Sequence, residues 1–196
     1  TSTTNSLTVE QGMKFKRGYA SSYFVTNTDE LTSELEDPYI LITTNKISIE
    51  NSNLLEILEQ IIYLKKPLLI ISPEIEEETL STLILNKLND IVDVVYVRVP
   101  NPSAYETIFI EDISLYTKAY FFRKEYPREL QKISLAQLGQ AKKIVVTKTS
   151  TTIFQGNEME KAELEKECNK LRQQISTIES NYEKDKLEDR IQNLYG

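Results

Sequence analysis

The stretch Lys66–Pro100, KPLLIISPEIEEETLSTLILNKLNDIVDVVYVRVP, constrains the fold more than any other. Pro67–Ser72 is a short apolar run with β-branched members, and Val92–Val99 is a second, mostly valine. Runs of this length and composition read as buried strands. Between them lies a helical pattern, Glu76–Asn89, entered through Pro73. Its first turn is acidic, where the helix dipole favours carboxylates. Strand, helix and strand in that order predict a βαβ unit with parallel strands, and so an α/β domain.

This helix has more apolar side chains than one buried face needs. Leu80, Leu83, Ile84, Leu85, Leu88 and Ile91 spread over about 200° of a helical wheel. A surface helix buries a stripe only somewhat wider than about 100°. Either both sides of the helix are buried, or part of the apolar arc faces water as a binding surface. The preceding helix, Ser52–Lys65, repeats the surplus through Leu54, Leu55, Ile57, Leu58, Ile61, Ile62 and Leu64. Ser52 is its N-cap candidate. Core packing is the simpler account of both helices.

The flanking sequence extends the α/β pattern. Pro38–Thr44 is a strand of the fully buried kind, and Tyr105–Tyr116 is helical. Ala119–Arg123, Ala141–Thr147 and Thr151–Phe154 read as strands, the last two joined by a hairpin at Lys148–Ser150. Thr1–Val9 is polar and extended, Thr28–Asp37 an acidic loop, and Glu129–Leu138 polar and mixed. Met13–Phe15 and Arg17–Val25 predict a strand and a turn. Tyr19, Tyr23 and Phe24 there either join the core or form an aromatic recognition edge. From Glu158 the charge density rises, and Leu164, Cys168, Leu171, Ile175 and Ile178 take heptad spacing. Capping-box pairs at Asn157/Glu160 and Ser180/Glu183 predict a helical pair that breaks near Ser180 and continues through Leu187, Ile191 and Leu194. Packing on the chain's own body fits this pair better than a coiled-coil dimer, because the break comes after about three heptads. A module that dimerises through this heptad helix and binds no other chain is the alternative.

Composition removes several function classes. A net charge of −7 speaks against a nucleic-acid surface. The apolar runs are too short to span a membrane. Histidine is absent, which removes the commonest general base and ligand. The single cysteine, Cys168, closes no intramolecular disulfide and reads as a small core residue. No phosphate-binding loop or dinucleotide fingerprint occurs, and the five glycines do not cluster. The acidic clusters at Glu76–Glu78 and Glu111–Asp112 lack a loop that would gather oxygens around a cation. No catalytic residue and no metal ligand is read from the chain.

Several segments in order resemble the apical domain of a GroEL-type (group I) chaperonin. They are Gly12–Met13 with Phe15, RGYASSYF at 17–24, KPLLIISPEIEEETLSTLILN at 66–86, SLAQLGQAKKIVVTK at 134–148, TTI at 151–153, LRQQI at 171–175 and YEKDKLEDRIQNL at 182–194. The resemblance implies a swivelling β/β/α apical fold, a sheet core flanked by helices with a C-terminal helical pair. It places the apical domain at residues 12–196 and makes residues 1–11 the segment leading in from an intermediate domain. It implies capture of non-native polypeptide and of a GroES-type co-chaperonin's mobile loop in a groove between two helices. Matched to the family's binding positions are Tyr19, Ser21, Tyr23 and Phe24, then Leu55 and Leu58, then Leu80, Ile84, Leu85 and Asn86. Gly12 and Gly196 match the two hinge glycines. ATP and Mg belong to the full-length protein and lie outside this chain, which is expected to have no ATPase activity of its own. The partners implied are unfolded clients, the co-chaperonin and sister subunits of a heptameric ring, with no nucleic acid and no membrane. The compartment implied is an organelle matrix or stroma, plastid-like or mitochondrial, with bacterial cytoplasm as the alternative. The chain departs from the family at NPSAYET (101–107), where a glycine-rich basic loop is usual, at Thr117–Lys118 in place of a glycine pair, and at Ala20 and Ser22.

Overall fold

The computed structural model of the chain describes residues 12–155, together with residues 166, 170, 192 and 194. Its strands are β1 (Gly12–Phe15), β2 (Ser33–Glu36), β3 (Tyr39–Thr43), β4 (Leu68–Ser72), β5 (Val94–Arg98), β6 (Phe121–Phe122), β7 (Gly139–Gln140), β8 (Lys143–Val146) and β9 (Thr151–Phe154). The helices are α1 (Leu54–Tyr63), α2 (Glu77–Leu88) and α3 (Ala104–Thr117).

Two sheets form. One has the order β5-β4-β3-β6, with β3, β4, β5 and β6 parallel. The short β7 pairs antiparallel with Tyr39–Ile40, so the outer edge of β3 is shared lengthwise between β7 and β6. Every residue of β3 and β4 is buried, as is all of β5 except Arg98. Unbroken burial is what a parallel sheet covered on both faces demands, and it explains the continuous apolar runs in the sequence. The second sheet, β1-β9-β8-β2, is antiparallel and buries one face through Met13, Phe15, Leu35, Ile144, Val146 and Ile153.

The order of connections positions the helices. From β3 to β4 to β5 the chain steps in one direction, so right-handed crossovers put α1 and α2 side by side and parallel on one face. The connection from β5 to β6 returns past β3, which sends α3 to the opposite face. There α3 links the two sheets. The Phe109 ring stacks on Phe15 of β1 at 5.4 Å, and Glu106 pairs with Arg17 at 2.7 Å. The substituted loop 101–107 supplies the start of α3. Ser103 accepts from the Glu106 amide at 3.0 Å, and the Glu106 carboxylate accepts from the Ser103 amide at 3.4 Å. At its other end Lys118 takes the left-handed conformation, φ 59°, where a glycine would be free of strain.

Several expectations need correction. Thr28–Asp37 is not all loop: Ser33–Glu36 pairs with β8, and its alternation buries Ser33 and Leu35. Arg17–Val25 forms no regular strand. It makes an isolated bridge at Tyr19 and a 3-10 turn at Ser22–Phe24. Ser52 is one residue short of the N-cap position of α1, although its hydroxyl accepts from the Leu54 amide at 3.3 Å. The N-cap is Asn53, which uses its side chain to hold the 130–133 segment, donating to the Ile133 carbonyl at 2.9 Å and accepting from the Ile133 amide at 2.8 Å. Of the predicted C-terminal helices, positions 166, 170, 192 and 194 are helical, and Leu194 is buried in the core. The heptad positions Leu164, Cys168, Leu171, Ile175 and Ile178, along with Leu187, Ile191, Thr1–Val9 and Gly196, lie outside the described residues. Among the described residues no helix is long and apolar enough to cross a membrane.

Candidate functional site

The segments leading into α1 and α2 are tied to each other. Ile47 and Ile75 form a parallel bridge, in which the Ile47 amide donates to the Glu74 carbonyl at 2.9 Å and the Glu76 amide to the Ile47 carbonyl at 2.8 Å. The Glu76 carboxylate accepts from the Ile49 amide at 3.1 Å and from the Thr79 hydroxyl at 3.2 Å. One carboxylate therefore reinforces the backbone bridge that ties the two helix starts together. A hollow of about 510 Å³ opens between them, lined by Ile49, Asn53, Leu55, Glu56 and Thr79 among others. Beside it, Lys46 and Glu74 pair at 2.8 Å. Their hydrogen bond, with the charge attraction behind it, raises the lysine pKa and lowers that of the carboxylate.

The burial of α2 divides its surplus apolar arc. Thr79, Leu83 and Lys87 face inward. Leu80 and Ile84 are half-buried against the core, whereas Leu85 (59% exposed), Leu88 (54%) and Ile91 (50%) face water. Leu55 and Thr79 line one hollow, so the edge of α2 that carries Thr79, Thr82 and Asn86 faces α1. The Asn86 carboxamide donates to the Thr82 carbonyl at 2.8 Å along that edge. Leu80, Ile84 and Leu88 succeed one another at i+4 on the other edge, on the side away from α1.

The aromatic segment packs against α2 and β5. It is held on both sides: the Tyr19 amide donates to the Thr147 carbonyl at 3.1 Å, and the Ala20 amide to the Tyr96 carbonyl at 2.8 Å. Tyr19 also donates its hydroxyl to the Leu31 carbonyl at 3.0 Å. Ser21 caps the short turn, accepting from the Tyr23 amide at 3.2 Å. That turn sends two adjacent rings in opposite directions. Phe24 is fully buried, and Tyr23 is 56% exposed.

Of the residues matched by resemblance, Tyr23 and Leu85 are exposed, Tyr19, Ser21, Leu55, Leu80, Ile84 and Asn86 are half-buried, and Phe24 and Leu58 are buried in the core. The last two support the surface from beneath. Gly12 pairs with Phe154 in the ladder, and a Cβ there would stand 2.6 Å from the Ile153 carbonyl oxygen. Ile49 and Thr79 were not singled out from sequence. Their signal was proximity to the helix starts, which only the bridge between Ile47 and Ile75 makes visible. Leu88 and Ile91 belonged to the apolar arc but not to the matched positions. Among the described residues no group of three or more Cys, Asp or Glu is arranged to hold a metal ion.

The chain is thus an α/β domain that leaves aliphatic side chains of two parallel helices exposed beside a fixed aromatic turn. No family model matches the chain. Over 195 residues, 100% of its length, it is 39% identical to the chloroplastic chaperonin GroEL of Gracilaria tenuistipitata var. liui. The match spans 37% of that protein's length. Identity at this level along the whole chain identifies it as a GroEL-type chaperonin sequence of plastid-like affinity.

Proposed function

We propose that this chain is the apical, polypeptide-capturing part of an ATP-dependent chaperonin that assists protein folding in a plastid stroma. The observation that carries the reading is the water-exposed row Leu85, Leu88 and Ile91, next to half-buried Leu80 and Ile84 and the exposed Tyr23. Non-native chains share exposed apolar surface and little else. Aliphatic side chains bind such surface without directional pairing, at roughly 25 cal/mol per Å² buried. In this reading Tyr19, Ser21, Tyr23, Leu55, Leu80, Ile84, Leu85 and Asn86 meet the client, and Phe24 and Leu58 hold them in place. The mobile loop of a GroES-type co-chaperonin competes for the same surface and displaces the client into a ring of sister subunits. The domain swings on Gly12 and Gly196, driven by ATP and Mg bound elsewhere in the full-length protein. The similarity to a chloroplastic chaperonin supports both the role and the compartment.

The test is suppression of aggregation of an unfolded model protein by this chain. It is run beside a Leu80→Ser, Ile84→Ser double variant whose circular dichroism matches the parent. The parent is expected to hold the client in solution and the variant to lose most of that effect. Equal protection by both would remove Leu80 and Ile84 from the client-binding surface.

A further inference from the structure

The net charge of this chain is gathered on the face that exposes most of its large apolar side chains. Three segments build that face, residues 19–31, 47–64 and 76–91. Together they hold nine carboxylates and one cation, a balance of −8 where the whole chain has −7. The remainder of the molecule is therefore within one charge of neutral. The one cation, Lys87, is buried and pairs at 3.7 Å with Asp93, which lies outside these segments. Glu56 and Glu59 on α1, Glu77 and Glu78 on α2, and Asp29 and Glu30 beyond the aromatic turn are all exposed. Among the described residues none of these six makes a salt bridge, whereas Glu34, Glu36, Asp37, Glu74, Asp93, Glu106 and Glu111 all do.

An apolar surface by itself is nearly indifferent to the order of residues in what it binds. A rim of unneutralised carboxylates is not. It draws in cations, repels anions, and sets which encounters succeed. Lysine and arginine suit such a rim doubly, since their stems lie along apolar surface while their heads reach outward to the charge. We infer that this surface selects apolar segments flanked by lysine or arginine and rejects equally apolar segments flanked by aspartate or glutamate. The inference rests on the polypeptide-binding reading above and narrows its substrate class. The selection is electrostatic, so salt weakens it while leaving the apolar contact in place.

The experiment uses four peptides with an uncharged dye, measured by fluorescence anisotropy against this chain. Three share one leucine- and phenylalanine-rich core and differ only in flanks of Lys, Gln or Asp. The fourth has Lys flanks around a Ser-Gly core. The Lys-flanked core peptide is expected to bind about tenfold tighter than the Asp-flanked one at low ionic strength, with the Gln-flanked peptide between them. The spread is expected to close at about 0.5 M salt. In a Glu77→Gln, Glu78→Gln variant it is expected to narrow. Equal binding of the three core peptides would overturn charge selection and leave the polypeptide-binding reading standing. Binding of the Ser-Gly peptide as tight as that of its apolar counterpart would overturn it as well, reducing the surface to an ionic one. Failure of every core peptide to bind would sink the underlying reading and the selection with it.

Discussion

Gly18 lies against the backbone of Thr147 so closely that a Cβ on it would stand 2.1 Å from the Thr147 carbonyl oxygen. No side-chain rotation relieves that contact, because the opposing atoms belong to the main chain. Gly18→Ala is therefore expected to push the aromatic segment off the hairpin, breaking the bond from Tyr19 to Thr147. The expected cost is about 1–3 kcal/mol in urea unfolding, with weaker client holding at a temperature where the variant stays folded. Unchanged values for both would show that the segment tolerates displacement.

Leu83 and Leu85 are two residues apart on α2 with opposite environments. Leu83→Ala removes a fully buried side chain and is expected to cost about 2–5 kcal/mol. Leu85→Ser alters a side chain that is mostly in water and is expected to change stability by no more than about 0.5 kcal/mol. Client capture should fall in the second variant without any loss of fold. Thermal unfolding and aggregation suppression, read on both variants, separate support of the surface from contact through it.

Glu76 couples the two helix starts through two accepted hydrogen bonds. Glu76→Ala forfeits both, at about 1 kcal/mol each. Glu76→Gln keeps an acceptor oxygen and is expected to recover much of the loss. Faster hydrogen exchange at the Ile49 amide in the alanine variant alone would locate the effect. Equal stability of the two variants would show that the bridge between Ile47 and Ile75 fixes the helices unaided.

Burial pushes the Tyr96 phenol above its ordinary value of 10.0, against a weaker opposing pull from the Ser72 side chain and the positive charge of Arg98. The folded chain thus keeps this proton at a pH where the unfolded chain has released it. Stability from this group is complete below the unfolded pKa and declines as pH rises toward the folded one. Tyr96→Phe removes that decline. Its loss of stability between pH 7 and about pH 11 should be smaller than the parent's, by chemical unfolding followed by circular dichroism. Identical slopes would assign the alkaline sensitivity to other tyrosines.

The strand, helix and strand of Lys66–Pro100 were legible because a parallel sheet buried on both faces writes itself as unbroken apolar runs. The start of α2 was legible from Pro73 and the acids that follow it. What the sequence could not divide was the apolar arc. Leu83 and Leu85 are the same residue type on one helix, and only the position of the sheet makes one core and the other surface. Tyr23 and Phe24 were likewise inseparable, since their opposite directions follow from a three-residue turn capped by Ser21. The strand Ser33–Glu36 was missed because SELE has one apolar residue, and its partner β8 lies more than a hundred residues further along. The charge asymmetry was written in the sequence, but it had no meaning until three separate segments were seen to share one face.

The two bonds of the aromatic segment join residues far apart in the chain: Tyr19 reaches Thr147, and Ala20 reaches Tyr96. Closing such long loops costs chain entropy, which the finished contacts repay. One bond runs to the β8–β9 hairpin of the antiparallel sheet and the other to β5 of the parallel one. The aromatic edge is therefore a joint of the two sheets, and loosening either of them releases one of its two anchors.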